Sequence, residues 1–121
     1  MSLIALLFAG QILAQPIVVD GDTLHDGREA TYRVENLDAP ERGWRAQCPG
    51  EAALGEAATA ELRRWVASAA RVEAFPIGRL DRYGRVVARI EIDGIDLGER
   101  LIAMGLAQPW RGRKADFCTS A

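Results

Sequence analysis

Pro16-Ile17-Val18-Val19-Asp20-Gly21-Asp22-Thr23-Leu24-His25-Asp26-Gly27 is the stretch of this 121-residue chain from which the rest of the fold can be read outward. Pro16 to Val19 is β-branched and apolar, so it reads as a strand that runs into a turn at Asp20. Thr23 to His25 continues as a second strand, and Asp26-Gly27 has the composition of a tight hairpin turn. Thr31 to Glu35 alternates in the manner of a third strand, which leaves Asn36 to Arg45 as a loop stiffened by Pro40.

Beyond this loop the period changes. From Glu51 to Ala69, Leu54, Ala58, Leu62, Trp65 and Val66 recur at helical spacing, which predicts an amphipathic helix with Trp65 in the core. Arg71 to Phe75 and Val86 to Ile92 read as the fourth and fifth strands, joined by a turn at Asp81 to Gly84. Asp96 followed by Glu99 has the form of a helix-opening capping box, and Gly105 closes that short helix. Five strands with a helix between the third and fourth predict an α+β, mainly β class: the partly open, five-stranded Greek-key barrel of the OB-fold, with two to three short helices. The length suits one domain, here residues 15–121.

Charge is distributed unevenly. The net charge is only −2, but from Asp20 to Glu41 seven acids face two arginines, a local balance of −5. From Arg79 to Arg89 four arginines face one aspartate, a local +3. Arg63, Arg64 and Arg100 read instead as ordinary surface. An acidic patch that needs a cation beside a basic patch that attracts phosphate suits hydrolysis of a phosphodiester, whose oxygens gain charge as water attacks. In that chemistry Asp22 and Asp38 are candidate metal carboxylates. Arg33 and Arg85 are candidate guanidinium forks for the phosphate, and Glu41 is the candidate to orient or deprotonate the water. Glu35 reads as an ion-pair partner on the face of Arg33. All candidate ligands are oxygens, which selects a hard cation; two cysteines and the single His25 fall short of a zinc set.

Val19-Asp20-Gly21-Asp22-Thr23-Leu24, then Arg33 to Glu41 with its Asp38-Ala39-Pro40-Glu41 ending, then Asp81-Arg82-Tyr83-Gly84-Arg85, resemble in that order the staphylococcal nuclease (thermonuclease) family. Cys48-Pro49-Gly50-Glu51 with Gly55 and Ala58 resembles the opening of that family's first helix, so the likeness runs from about Pro16 to Trp110. The resemblance implies the same OB-fold and calcium as cofactor, with magnesium or manganese left open by oxygen ligands alone. It also implies metal contacts from Asp22, Asp38 and the backbone carbonyl of Ala39. Arg33, Glu41 and Arg85 are then catalytic, and Arg82 and Tyr83 lie near a terminal phosphate. Asp20 either supports the metal ligands from behind or only caps its turn. Trp110 either stacks a base, which is worth about 1 to 3 kcal/mol, or packs on the barrel.

The expected function is a calcium-dependent, sugar-nonspecific endonuclease that acts on DNA and RNA, prefers single strands and leaves 3′-phosphate ends, working as a monomer. The competing expectation is a nuclease-like module that binds nucleic acid or a protein ligand without cutting it. Met1 to Ala14 carries no charged side chain and has the form of a secretory signal cleaved after Ala14; the alternative is an N-terminal strand or helix packed on the core. That apolar run is shorter than the roughly 20 residues of a membrane span, so no stable membrane association is expected. Export implies a secreted or periplasmic protein, and a cytoplasmic one follows if Met1–Ala14 is not a signal. Cys48 and Cys118 would pair in an oxidising compartment and remain separate thiols in a reducing one.

Overall fold

The computed structural model describes residues 10–119. The strands are β1 (Gln11–Ile12), β2 (Ile17–Asp20), β3 (Thr23–His25), β4 (Thr31–Val34), β5 (Val72–Leu80), β6 (Val86–Ile92) and β7 (Ile95–Asp96). The helices are α1 (Pro49–Ser68) and α2 (Leu97–Ala103), with a 3-10 turn at Gly43–Arg45. One curled, half-barrel sheet in the order β1-β5-β6-β4-β3-β2, with β7 beside β6, carries the two helices, as an OB-like α+β fold requires. The pair β4–β6 is parallel and its neighbours are antiparallel.

β2 to β6 are the five expected strands. Two short ones are added: β1 pairs with β5, and β7 with β6. β5 also runs further than expected, through Pro76 and Gly78 to Leu80, with a register shift between Pro76 and Leu80. That irregularity absorbs a residue with no N–H and a glycine at φ 89°. The β3–β4 connection is not a two-residue turn. Its ends pair at His25 and Thr31, and the Asp26 carboxylate gathers the N–H groups of Arg28, Glu29 and Ala30 at 2.8, 3.0 and 3.1 Å. A side chain that satisfies three backbone donors makes the longer loop stable.

α1 is 20 residues long, not short. Cys48 caps its N-terminus, with the sulfur accepting from the Glu51 N–H at 3.4 Å, and Pro49 occupies the first turn, where its missing N–H costs nothing. The buried stripe runs through Glu51, Gly55, Ala58, Thr59, Leu62 and Trp65, and Leu54 sits half-buried at its edge. Trp65 is in the core as expected, and the Arg100 guanidinium covers its ring at 4.3 Å. The core also takes Leu24 and Val34 from the β2–β4 layer, Ile90 and Ile92 from β6, and Leu97 and Leu101 from α2. α2 opens on the Asp96 carboxylate, which accepts from the Glu99 N–H at 2.8 Å.

The expected leader falls mostly on residues 1–9, which lie outside the described residues. Its end is part of the folded body: the Leu13 N–H donates to the Val72 carbonyl at 2.9 Å, Leu13 is buried, and the Tyr32 hydroxyl donates to Gln11 Oε1 at 2.9 Å. A cut after Ala14 would remove β1 and this core leucine. Among the described residues no helix is long and apolar enough to cross a membrane.

Candidate active site

The β2–β3 turn delivers the first acids. One extra residue of β2, Val19, stands between the pairings Val18–Leu24 and Asp20–Thr23, a bulge that re-aims Asp20. Asp20 accepts from the Asp22 N–H at 3.1 Å, while Asp22 accepts from the Thr23 hydroxyl at 2.9 Å and from the Ala39 N–H at 3.2 Å. Gly21 lets this turn lie flat on the neighbouring loop, since a Cβ there would fall 2.8 Å from the Ala39 Cβ. The loop is fixed from its other side as well. Asp38 and Gln108 exchange backbone hydrogen bonds at 2.7 and 3.0 Å, so the segment after α2 holds Asp38 in place.

The arginines come from the sheet. Arg33 on β4 donates to the Leu37 carbonyl at 2.9 Å and to the Val34 carbonyl, and its guanidinium stands 3.6 Å from Asp22 Oδ2. Its remaining face looks onto the Trp110 ring at 5.5 Å. Arg85 begins the return from the Asp81–Gly84 turn into β6. Asp81 organises this turn, accepting from the Tyr83 and Arg85 N–H groups at 2.9 Å each and from Arg85 Nε at 2.6 Å. Arg85 also reaches Thr23 Oγ1 at 3.3 Å, which links it through that hydroxyl to Asp22. Arg82 donates to the Tyr83 hydroxyl at 2.8 Å, and the guanidinium carbons of Arg82 and Arg85 lie 4.9 and 5.2 Å from the Tyr83 ring.

These side chains wall one cavity of about 470 Å³. Asp20, Asp22, Arg33, Asp38, Glu41, Arg82, Tyr83, Arg85 and Trp110 all line it; Ala39 lies behind the wall, buried. Residues 20–110 of the candidate set therefore converge on a single opening. Tyr83 and Trp110 are exposed at its rim. Glu35, Arg45 and Arg79 also join the wall.

Electrostatics follow from this crowding. Burial, then the charge and hydrogen bonding of Asp22, push the Asp20 carboxyl up to about 7. Burial also raises Glu41, against the opposing pull of Lys114. Asp81 is the reverse case: burial would raise it, but the Arg85 and Tyr83 N–H groups and the Arg85 guanidinium together hold it below the ordinary carboxylate range.

Three functional positions were not singled out from sequence. Glu51, buried within α1, accepts from the Glu41 N–H at 3.0 Å and the Gln47 N–H at 2.9 Å, so it pins the loop that carries Glu41. Asp81 is more than a turn residue, because it aims Arg85. Lys114 brings its ammonium 3.1 Å from the Ala39 carbonyl, 3.6 Å from Asp38 Oδ1 and 4.0 Å from Glu41 Oε1. The available signals were a carboxylate three residues after a cap at Glu51, the place of Asp81 at the head of the Asp81–Arg85 motif, and the chain's single lysine at 114 in a basic cluster with Arg111 and Arg113.

The donor set fits a hard divalent cation. Asp22 and Asp38 offer carboxylate oxygens, Ala39 offers a carbonyl, and the Lys114 ammonium already stands in as a cation beside two of them. Among the described residues no three His, Cys, Asp or Glu side chains converge to hold an ion by themselves, so carbonyl and water oxygens would complete the shell.

Cys48 and Cys118 form a disulfide, with Cα atoms 5.9 Å apart, that ties the C-terminal tail to the start of α1. The family model described as staphylococcal nuclease homologue matches residues 31–119, a span that holds Arg33, Asp38, Ala39, Glu41, the Asp81–Arg85 turn, Trp110 and both cysteines, with Asp20 and Asp22 just ahead of it. With its OB-like fold and a match across most of its length, the chain belongs to the staphylococcal nuclease homologue family.

Proposed function

We propose that this protein is a calcium-dependent, sugar-nonspecific endonuclease that hydrolyses DNA and RNA. The observation that carries the reading is the convergence of Arg33, Arg85, Asp22, Asp38 and Glu41 on one cavity. Asp22, Asp38 and the Ala39 carbonyl would hold the ion, which when bound supplies Lewis-acid polarisation of a phosphate oxygen and a more acidic water. The residues of the chain do the rest. Arg33, on β4, and Arg85, at the entry to the neighbouring strand β6, clamp the scissile phosphate with charge-assisted bonds that strengthen as its oxygens gain charge. Glu41, half-buried and with its backbone held by Glu51, accepts a proton from the attacking water or aligns it in line with the leaving 5′-oxygen. Departure of that oxygen leaves a 3′-phosphate.

Tyr83 and Trp110 at the rim offer faces on which unpaired bases can stack without sequence readout, which favours single strands. Arg82 adds a cation near a terminal phosphate, and Asp20 supports the Asp22 turn. The Cys48–Cys118 bridge supports a secreted or periplasmic location. Mass spectrometry of the exported protein reports the mature terminus: loss of residues 1–14 gives the expected signal, whereas retention of β1 places any cleavage upstream of it.

The deciding experiment is digestion of denatured DNA with calcium, magnesium, manganese or chelator, alongside Glu41→Gln and Arg85→Ala. Calcium-dependent cutting that both variants lose supports the enzyme and its site together. Binding of DNA without cutting under every metal would replace this reading with a nucleic-acid-binding module.

A further inference from the structure

Among the described residues the tail after Trp110, 111–119, has no helix or strand, yet it is anchored at the cavity. The Ala115 N–H donates to Asp38 Oδ2 at 2.5 Å, and three residues later Cys118 is bonded to Cys48 at the cap of α1. Between Trp110 and these anchors, Lys114 extends its ammonium to the Ala39 carbonyl at 3.1 Å, Glu51 Oε2 at 3.3 Å and Asp38 Oδ1 at 3.6 Å. The Phe117 ring backs it at 4.6 Å. Both carboxylate oxygens of Asp38 and the carbonyl of Ala39 are thus engaged by one short segment.

We propose that Lys114 is a built-in competitor for the divalent cation, delivered by the disulfide-tethered tail. The inference rests on the reading of Asp22, Asp38 and Ala39 as the metal ligands. Calcium binds oxygen at about 2.3 to 2.6 Å, and magnesium at about 2.0 to 2.1 Å. An ammonium on the same carbonyl and the same carboxylate would then be held against a like charge. The two cations exclude one another, so the ion must first displace Lys114. Glu51 does not depend on the lysine for its hydrogen bonds, because the Glu41 and Gln47 N–H groups already occupy both of its oxygens.

The tether matters because the bridge keeps the lysine at high effective concentration over the acids. If the tail is docked nine-tenths of the time, the free site is about one-tenth populated and the apparent metal affinity falls about tenfold. Docking also shields the acids from one another when no ion is present, so the tail closes the site in low calcium and yields it in high calcium.

The test is calorimetric calcium titration of the disulfide-intact protein against Lys114→Met, which keeps most of the aliphatic stem at an exposed position. Tryptic cleavage after Arg111 and Arg113 in the wild type is followed in parallel, with and without saturating calcium. The expected results are about tenfold tighter calcium binding by Lys114→Met and faster tail cleavage when the wild type is loaded. Equal or weaker binding by the variant, or cleavage unchanged by calcium in a wild type that binds it, overturns the competitor role and leaves the metal reading intact. If neither protein binds calcium, magnesium or manganese, the metal reading itself fails and takes this inference with it.

Discussion

Gly55→Ala is the substitution that tests how tightly the scaffold controls Glu41. A Cβ at position 55 would lie 2.4 Å from the Glu41 carbonyl oxygen and 2.8 Å from both the Glu41 carbonyl carbon and the Pro40 carbonyl oxygen. Real Cβ contacts stay beyond 3.0 Å, so the loop backbone must retreat by at least about 0.6 Å. It cannot simply swing away, because Glu51 on the same helix holds the Glu41 N–H and Ala39 holds to Asp22. The displacement therefore falls on the residue assigned to the water. Since misplacing a reacting group by about 1 Å can cost about a hundredfold, kcat should fall roughly ten- to a hundredfold. KM should change little, because Arg33 and Arg85 stand on other elements. Stability should change less than activity, since overpacking costs about 1 to 3 kcal/mol while replacing a mid-helix glycine with alanine returns up to about 1 kcal/mol. Single-turnover cleavage of denatured DNA together with thermal unfolding separates the two effects. A folded Gly55→Ala protein that cuts at the wild-type rate would show that Glu41 does not act from the position this loop imposes.

Three further outcomes are expected. Glu51→Ala should destabilise the protein by about 1 to 3 kcal/mol in urea unfolding, because it removes the carboxylate acceptor of two part-buried hydrogen bonds, from the Glu41 and Gln47 N–H groups; a loss within experimental error would mean water replaces the carboxylate. Joint replacement of Cys48 and Cys118 by serine removes a bridge across 70 residues and should cost about 4 kcal/mol in the chain-entropy account, read as a lowered unfolding midpoint that reducing agent lowers no further. Asp81 is held below the ordinary value of 3.8 in the folded state, so its stabilising effect is full above that value and is lost as pH falls through the depressed one. Asp81→Asn should consequently flatten the acid limb of a stability-against-pH curve, and an unchanged limb would count against the Asp81–Arg85 pairing.

Much of the fold was legible because its long elements carry their own periodicity. The alternation of β6, the stripe on α1 and the Asp96 cap each identify an element without help from the rest of the chain. β1 and β7 could not be found that way. A two-residue strand has no period, and each exists only because a longer strand offers an open edge. Pro76 and Gly78 similarly hid the second half of β5, since local propensity argues against a strand that β6 nevertheless holds through an irregular register. At Asp26 the turn residues were visible, but a single carboxylate satisfying three donors favoured a longer loop than the Asp-Gly pair suggests.

The site divides along the same line. Residues whose chemistry is intrinsic, two arginines and three acids in ordered motifs, could be nominated from their type. Residues that matter through contacts across the chain could not. Glu51 acts ten residues upstream, and Lys114 acts on Asp38 and Ala39, more than seventy residues away. The consequence is electrostatic. Asp20, Asp22, Asp38 and Glu41 line one cavity of a small domain with Glu51 holding the Glu41 backbone beside it, and Arg33 and Lys114 stand within 4.0 Å of acids in this group. Burial first, and then the neighbouring Asp22 charge, push the Asp20 carboxyl up to about 7, so repulsion between acids adds to the effect of burial with the lysine in place. Mutual repulsion of this kind favours loosening of the loops that carry the acids. The disulfide opposes it from outside the cluster, because it stabilises chiefly by restricting the unfolded chain and needs no favourable charge at the site. A bridge at the cap of α1 thus lets the fold tolerate an acidic cluster that a divalent cation would complete, and it does so with the same segment that supplies the interim cation.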